Sequence, residues 1–110
     1  MLEETSTAFK ALGHPHRLAI VHRLLRAGLT HRAEGRLGEG QLEPGGCCVG
    51  ELGKGLEIAP STLSHHLKEL DRAGLIDRGR EGRYLYCRLN ADRLDELRAF
   101  LGGEHEGERP

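Results

Sequence analysis

The residues of this chain best able to do chemistry are its three cysteines, Cys47, Cys48 and Cys87. Thiolates act as nucleophiles, soft-metal ligands and redox partners, and an odd number in a chain with no export segment argues for reduced thiols over a disulfide scaffold. Histidines form a second set. His14, His16, His22 and His31 are candidate imidazole ligands, although His14 and His16 serve equally well as polar residues at a helix start. A third set is hydrogen-bonding and cationic: Ser61, Thr62, Ser64, His65 and Lys68 in one short stretch, then Arg78, Arg80 and Arg83. Short polar groups on a helix can enter the major groove of duplex DNA, and flexible arginines can reach phosphate or a narrow minor groove. Enzymatic chemistry would need a nucleophile with a base and an orienting partner. A Cys47 or Cys48 thiolate with a distant histidine is all the chain offers, and no motif joins them, so the sequence does not read as an enzyme.

Few elements are available to hold these groups. With 110 residues and 37% hydrophobic content, the chain builds one domain around one modest core. Its formal net charge of −1 means that a nucleic acid would have to be met by a local basic face. No Trp, two Tyr and two Phe leave it without the stacking platforms of single-strand binders, so duplex DNA is the open option. No apolar run approaches the length of a membrane span, and the acidic, helix-like start MLEETSTAFK is no signal peptide; the expectation is a cytoplasmic protein without a membrane partner.

Along the chain, Ala8, Phe9 and Leu12 recur at helical spacing and Gly13 stops a first helix begun near Thr5. Pro15 opens a second helix with Leu18, Ile20, Val21, Leu24 and Leu25 on its apolar face, ending at Gly28. Residues 29–46, glycine-rich with one proline and scattered charge, read as an inserted flexible loop. Cys47-Cys48-Val49 reads as extended, followed by a short helix, Gly50 to Leu56, weakened by its glycines. Pro60 starts a fourth helix with Leu63, Leu67 and Leu70 on one face and Gly74 at its end. Leu75 to Arg78 and Tyr84 to Leu89 alternate as strands around a turn, Gly79 to Gly82. Asn90 caps a last helix carrying Leu94, Leu97, Phe100 and Leu101 and closed by Gly102-Gly103; residues 102–110 read as a disordered tail.

Two helices joined by a short turn and followed by a basic hairpin make a winged helix-turn-helix, a mainly α domain over residues 1–101 with a small β-hairpin wing. Ser61, Thr62, Ser64, His65 and Lys68 fall away from the leucine stripe of the fourth helix. His65 and His66 sit about 100° apart on that helix, so one faces DNA while the other packs. Between Pro60 and Asn90 there are six Lys or Arg against four Asp or Glu, a small basic excess in the segment where it is useful. Taken singly, Ser61 and Thr62 read as helix-capping residues and the arginines as solubilising ones; taken jointly they read as a DNA surface.

In such folds the extended piece before the first helix of the helix-turn-helix pairs with the returning strand of the wing, which would bring Cys47-Cys48 alongside Cys87. Residues directly opposite on paired strands have Cβ atoms about 4.5–5.5 Å apart, a separation suited to a thiolate site or a disulfide. Neighbouring residues on a strand face opposite ways, so joining all three needs a kink, which Gly45-Gly46 and Gly50 permit. Equally, Cys87 shares its strand face with Leu85 and Leu89 and reads as a small buried hydrophobe.

The segments ALGHPHRLAIVHRLL, CCVGEL, STLSHHLKELDRAGLI and GREGRYLYCRL together resemble the ArsR/SmtB family of bacterial metal-sensing repressors, over about residues 5 to 101. The resemblance implies a homodimeric winged-helix repressor, paired through its first and last helices. It would bind double-stranded operator DNA at an inverted repeat without a cofactor and be released by an inducer. DNA would be read by Ser61, Thr62, Ser64, His65 and Lys68 and clamped by Arg78, Arg80 and Arg83. The family's arsenic and cadmium sensors carry Cys-x-Cys at the start of the third helix; here Cys48 matches the first position, Gly50 stands at the second, and Cys47 is added before. The zinc and cobalt sensors use Asp-x-His and a further histidine pair on the last helix, whereas here Asp92 is followed by Leu94 and His105 lies beyond Gly102-Gly103. The implied inducer is therefore As(III) or Sb(III) held by Cys47, Cys48 and Cys87, ahead of Cd(II) or Zn(II). A redox switch on the same three thiols and a ligand-independent regulator with structural cysteines remain the alternatives.

Overall fold

The computed structural model describes residues 2–26, 30–31, 47–81 and 84–103, with backbone alone at 30, 31, 47, 48, 81 and 84. Most of the 29–46 insertion, Arg83 and the tail from 104 lie outside the described residues. The elements are α1 (Leu2–Leu12), α2 (Pro15–Arg26), β1 (Thr30–His31), β2 (Cys47–Cys48), α3 (Val49–Leu56), α4 (Pro60–Arg72), β3 (Ile76–Glu81), β4 (Tyr84–Asn90) and α5 (Ala91–Leu101).

Apolar spacing sets the helices, and local chemistry sets their ends. Pro15 stands at the first position of α2, where its missing N–H removes no helical bond, and the first amide-to-carbonyl bond of the helix runs from Leu18 to His14 at 2.9 Å. Helix α4 is preceded by Ala59, which makes no side-chain cap. Ser61 and Thr62 are thus not the capping residues, and both are exposed in the first turn. At α5 the expected cap is present: Asn90 Oδ1 accepts from the amides of Asp92 at 3.0 Å and Arg93 at 3.2 Å. The first helix begins at Leu2, earlier than its apolar pattern announces, with Glu3 and Glu4 favourably placed in its first turn.

The core gathers Ala8, Ile20, Leu24, Leu52, Leu63, Leu67, Leu70, Leu75, Ile76, Cys87, Leu89 and Leu97, drawn from all five helices and the hairpin. Helix α1 packs on α2, α4 and α5, and α4 also contacts α2, α3 and β3. All three other strands pair with β4. The hairpin register runs antiparallel from Ile76 opposite Leu89 to Glu81 opposite Tyr84, so the strands extend further than their sequence suggests. Gly79, Arg80 and Glu81, read from composition as part of the turn, belong to β3, because the ladder to β4 supplies partners that outweigh the low strand propensity of glycine and glutamate. Thr30 and His31, expected in the loop, form β1 parallel to β4, opposite Leu89 and Asn90. Among the described residues no helix is long and apolar enough to cross a membrane.

Candidate functional site

One helix surface holds the polar candidates. On α4, Leu63, His66, Leu67 and Leu70 are buried and anchor the helix, which leaves Ser61, Thr62, Ser64, His65 and Lys68 exposed along the opposite side. The two adjacent histidines part as expected: His65 is exposed, while His66 is 4% exposed. Helix α4 is seated on α1, α2, α3 and β3, and its contact with α3 is close. A Cβ at Gly53 would lie 2.8 Å from Leu63 Cδ2, so the glycine that weakens α3 also allows α4 to approach it.

The wing stands beside this helix. Arg78 and Arg80 are exposed on β3, and a cleft lined by Ser64, Asp71, Arg78, Arg80, Leu85 and Tyr86 separates the wing from α4. Across it Arg78 Nε donates to Asp71 Oδ2 at 2.8 Å, an ion pair open to solvent that ties the wing to the end of α4. Ser64 on the helix side and Arg80 on the strand side thus border one groove. Nothing in the sequence singles out Asp71. Its pairing depends on how the chain turns back through Gly74, which has a φ of +77°.

The register of the small sheet relates the cysteines. Cys47 of β2 stands opposite Cys87 of β4, whereas Cys48 stands opposite Tyr86. Cys87 is also opposite Arg78 of β3, so Cys47, Cys87 and Arg78 form one row across three strands. Register therefore brings two of the three cysteines together and sets Cys48 on the neighbouring row. Cys87 is 1% exposed within the core, as expected of a small hydrophobe, while Leu85, two residues nearer the tip, is exposed.

The early histidines are divided. His14 and His16 meet His66, their rings 4.4 Å and 5.3 Å from the buried imidazole, whereas His22 is exposed further along α2 and the side chain of His31 lies outside the described residues. His14 does act as a helix-start residue: its Nδ1 accepts the His16 amide at 3.0 Å. His66 Nδ1 accepts Arg17 Nε–H at 3.0 Å. Burial first, then the charges of His14, Arg17, His16 and His65, hold the His66 imidazole below the usual histidine range and so keep it neutral. Neither Arg17 nor the joining of His66 to this group is apparent from spacing, although a buried histidine needs a polar partner and that need is a usable signal.

Helices α1 and α5 leave apolar side chains exposed. Phe9 of α1 and Phe100 of α5 are in ring contact at 6.0 Å, and Leu2 of α1 and Phe100 and Leu101 of α5 are exposed.

Comparison with known proteins agrees with this architecture. A helix-turn-helix domain family profile matches residues 12–78. The arsenical resistance operon repressor of Bacillus subtilis (strain 168) is 31% identical over 97 residues, covering 88% of this chain and 76% of the repressor. Among solved structures, that of an ArsR family transcriptional regulator superposes with a TM-score of 0.69 at 24% identity, covering 100% of this chain and 97% of the other. A homodimeric winged helix-turn-helix DNA-binding domain from Mycobacterium bovis, described as a possible ArsR-family regulator, superposes with a TM-score of 0.64 at 24% identity, covering 99% and 87% respectively.

Proposed function

The chain belongs to the ArsR family of winged helix-turn-helix transcriptional regulators, and from that premise we propose that it is a homodimeric repressor whose operator affinity is set by thiol chemistry at Cys47 and Cys87, with Cys48 adjoining. The observation that carries this reading is the row Cys47, Cys87, Arg78. It joins two cysteine positions to a wing arginine through two strand pairings, so a ligand or bond that draws β2 and β4 together acts on the strand that presents Arg78 and Arg80. The operator is a short imperfect inverted repeat, read in the major groove by Ser61, Thr62, Ser64, His65 and Lys68 and clamped by Arg78, Arg80 and Arg83. The dimer forms through α1 and α5, a reading supported by the exposed Leu2, Phe100 and Leu101 and by the homodimeric M. bovis domain.

Soft donors suit a soft inducer. Opposed thiolates fit arsenite or antimonite first, cadmium next and zinc last. The B. subtilis relative, named as an arsenical resistance operon repressor, supports placing arsenite first. The register favours one alternative specifically: two opposed thiols and one peroxide can give a Cys47–Cys87 disulfide and two waters, with the sulfurs losing the two electrons that the peroxide gains.

Fluorescence anisotropy of a labelled promoter fragment separates these readings. The reduced protein is titrated with arsenite, antimonite, cadmium, zinc and peroxide beside a Cys47→Ser/Cys48→Ser variant. Release by a trivalent metalloid that the variant resists establishes the thiol sensor. Release by peroxide alone, reversed by dithiothreitol, establishes the redox switch. Tight binding under every condition makes the cysteines structural and overturns the proposal.

A further inference from the structure

We infer that His14, His16 and His66 form a second, independent site that binds a borderline divalent transition-metal ion, the class of Zn2+, Co2+, Ni2+ and Cu2+. One nitrogen from each of the three rings lies within 4.8 Å of the others. Four-coordinate zinc with Zn–N bonds of about 2.0–2.1 Å places ligand nitrogens about 3.4 Å apart. Closing the difference takes rotation of the exposed His16 ring and the half-buried His14 ring toward the fixed one. Fixity comes from His66, packed into the core side of α4, while His14 and His16 bracket Pro15, whose ring holds the backbone between them. The donor set of the cluster is imidazole alone. Nitrogen donors without oxygen or sulfur disfavour Mg2+ and Ca2+, which want oxygen, and trivalent arsenic, which wants thiolate.

The hydrogen bonds predict how such an ion enters. Nδ1 of His66 accepts from Arg17 and Nδ1 of His14 accepts from the His16 amide, so both neutral rings carry their proton on Nε2. An ion taken by His66 at Nδ1 displaces Arg17 directly. If it is taken at Nε2, the ring proton moves to Nδ1, which then faces the Arg17 donor with a donor of its own. In both cases occupancy breaks the Arg17–His66 bond, and Arg17, a fixed positive charge, competes with the ion. Removing Arg17 should therefore tighten metal binding, an effect that a merely structural histidine cluster would not give. The site joins the start of α2 to the inner side of α4, whose outer side carries His65, with rings of His65 and His66 5.6 Å apart. It shares no residue with the cysteine row.

Cobalt titration of the chelator-stripped full chain, without DNA, tests the site apart from the repressor reading. The expected result is one Co2+ per chain, seen as visible d–d bands without the near-ultraviolet thiolate-to-cobalt band, competed by Zn2+ and retained in Cys47→Ser/Cys48→Ser. His16→Gln, at an exposed position, and His14→Gln should each weaken binding at least about tenfold. His22→Gln should leave it unchanged, and Arg17→Met should strengthen it several-fold. Circular dichroism confirms that each variant is folded. Equal affinity in His16→Gln and His14→Gln to that of the parent, loss of the d–d bands in Cys47→Ser/Cys48→Ser, or loss of binding in His22→Gln would each overturn the assignment.

Discussion

Breaking the Arg78–Asp71 ion pair should tighten DNA binding. The pair spans the cleft between wing and α4 at 2.8 Å, and its two side chains are 42% and 37% exposed. An exposed ion pair contributes about 0–1 kcal/mol, so freeing Arg78 from it costs little in the folded protein. To clamp a phosphate, Arg78 must leave or share Asp71. Asp71→Asn removes that competition. With two half-sites on a dimer, a gain of about 0.5 kcal/mol each sums to about 1 kcal/mol, roughly fivefold in affinity, with a ceiling near 2 kcal/mol, roughly thirtyfold. The assay is anisotropy with one promoter fragment at several salt concentrations, on the parent, Asp71→Asn, Arg78→Ala and the double variant. Arg78→Ala should weaken binding to all sequences alike and reduce the salt slope by about one for each phosphate that is no longer clamped. The gain from Asp71→Asn should vanish in the Arg78→Ala background, since the two changes act through one interaction. An equal gain in both backgrounds would refute the reasoning, because Asp71 would then be acting on DNA through its charge alone.

Further outcomes follow from packing and titration. Gly53→Ala gains about 1 kcal/mol of helix propensity but overpacks Leu63, a cost of about 1–3 kcal/mol, so its urea midpoint should fall or hold, whereas Gly50→Ala, with nothing within 4 Å, should raise it. A Gly53→Ala protein as stable as Gly50→Ala would show that α3 and α4 are not in contact there. Asn90→Ala, which leaves the Asp92 and Arg93 amides without their cap, should cost about 1 kcal/mol and lower Tm by about 4–8 °C. In the presence of chelator, stability should decline as pH falls below about 6.5, where His66 of the unfolded chain takes a proton that the folded ring refuses. The decline ends at the lowered folded value, and His66→Leu should flatten the urea midpoint across that window; an unaltered slope would assign it to other groups.

What the sequence disclosed was whatever local chemistry decides. The leucines of α4, the proline before Ser61 and the 100° step between His65 and His66 were enough to orient the reading helix, and Asn90 announced α5 by itself. Non-local pairing was the part that stayed hidden. Thr30 and His31 sit in a glycine-rich stretch and are extended because β4 offers them partners some sixty residues away. Gly79 to Glu81 are strand for the same reason. Grouping the early histidines by sequence joined His22 and His31 to His14 and His16, whereas the fold selects His66, whose partner Arg17 is 49 residues distant. The cysteine register was reached only through the architecture of winged helices, and there too the fold separates neighbours: Cys47 meets Cys87 while Cys48 meets Tyr86.

These long-range pairings converge on the two elements that would touch DNA. The wing carries Cys87 on β4 in the row of Arg78 on β3, and α4 carries His66 behind His65, so each of the two has one of the proposed metal-binding groups on its inner side. The two groups differ in softness. A thiolate site selects trivalent metalloids and cadmium, while an imidazole site selects zinc, nickel or cobalt. Under the two proposals an ion of one class acts on the wing and an ion of the other on the helix. Phosphate clamping by Arg78 and base reading by His65 should accordingly respond to different ions: wing effectors should change the salt slope of binding, and helix effectors should change the ranking of operator sequences.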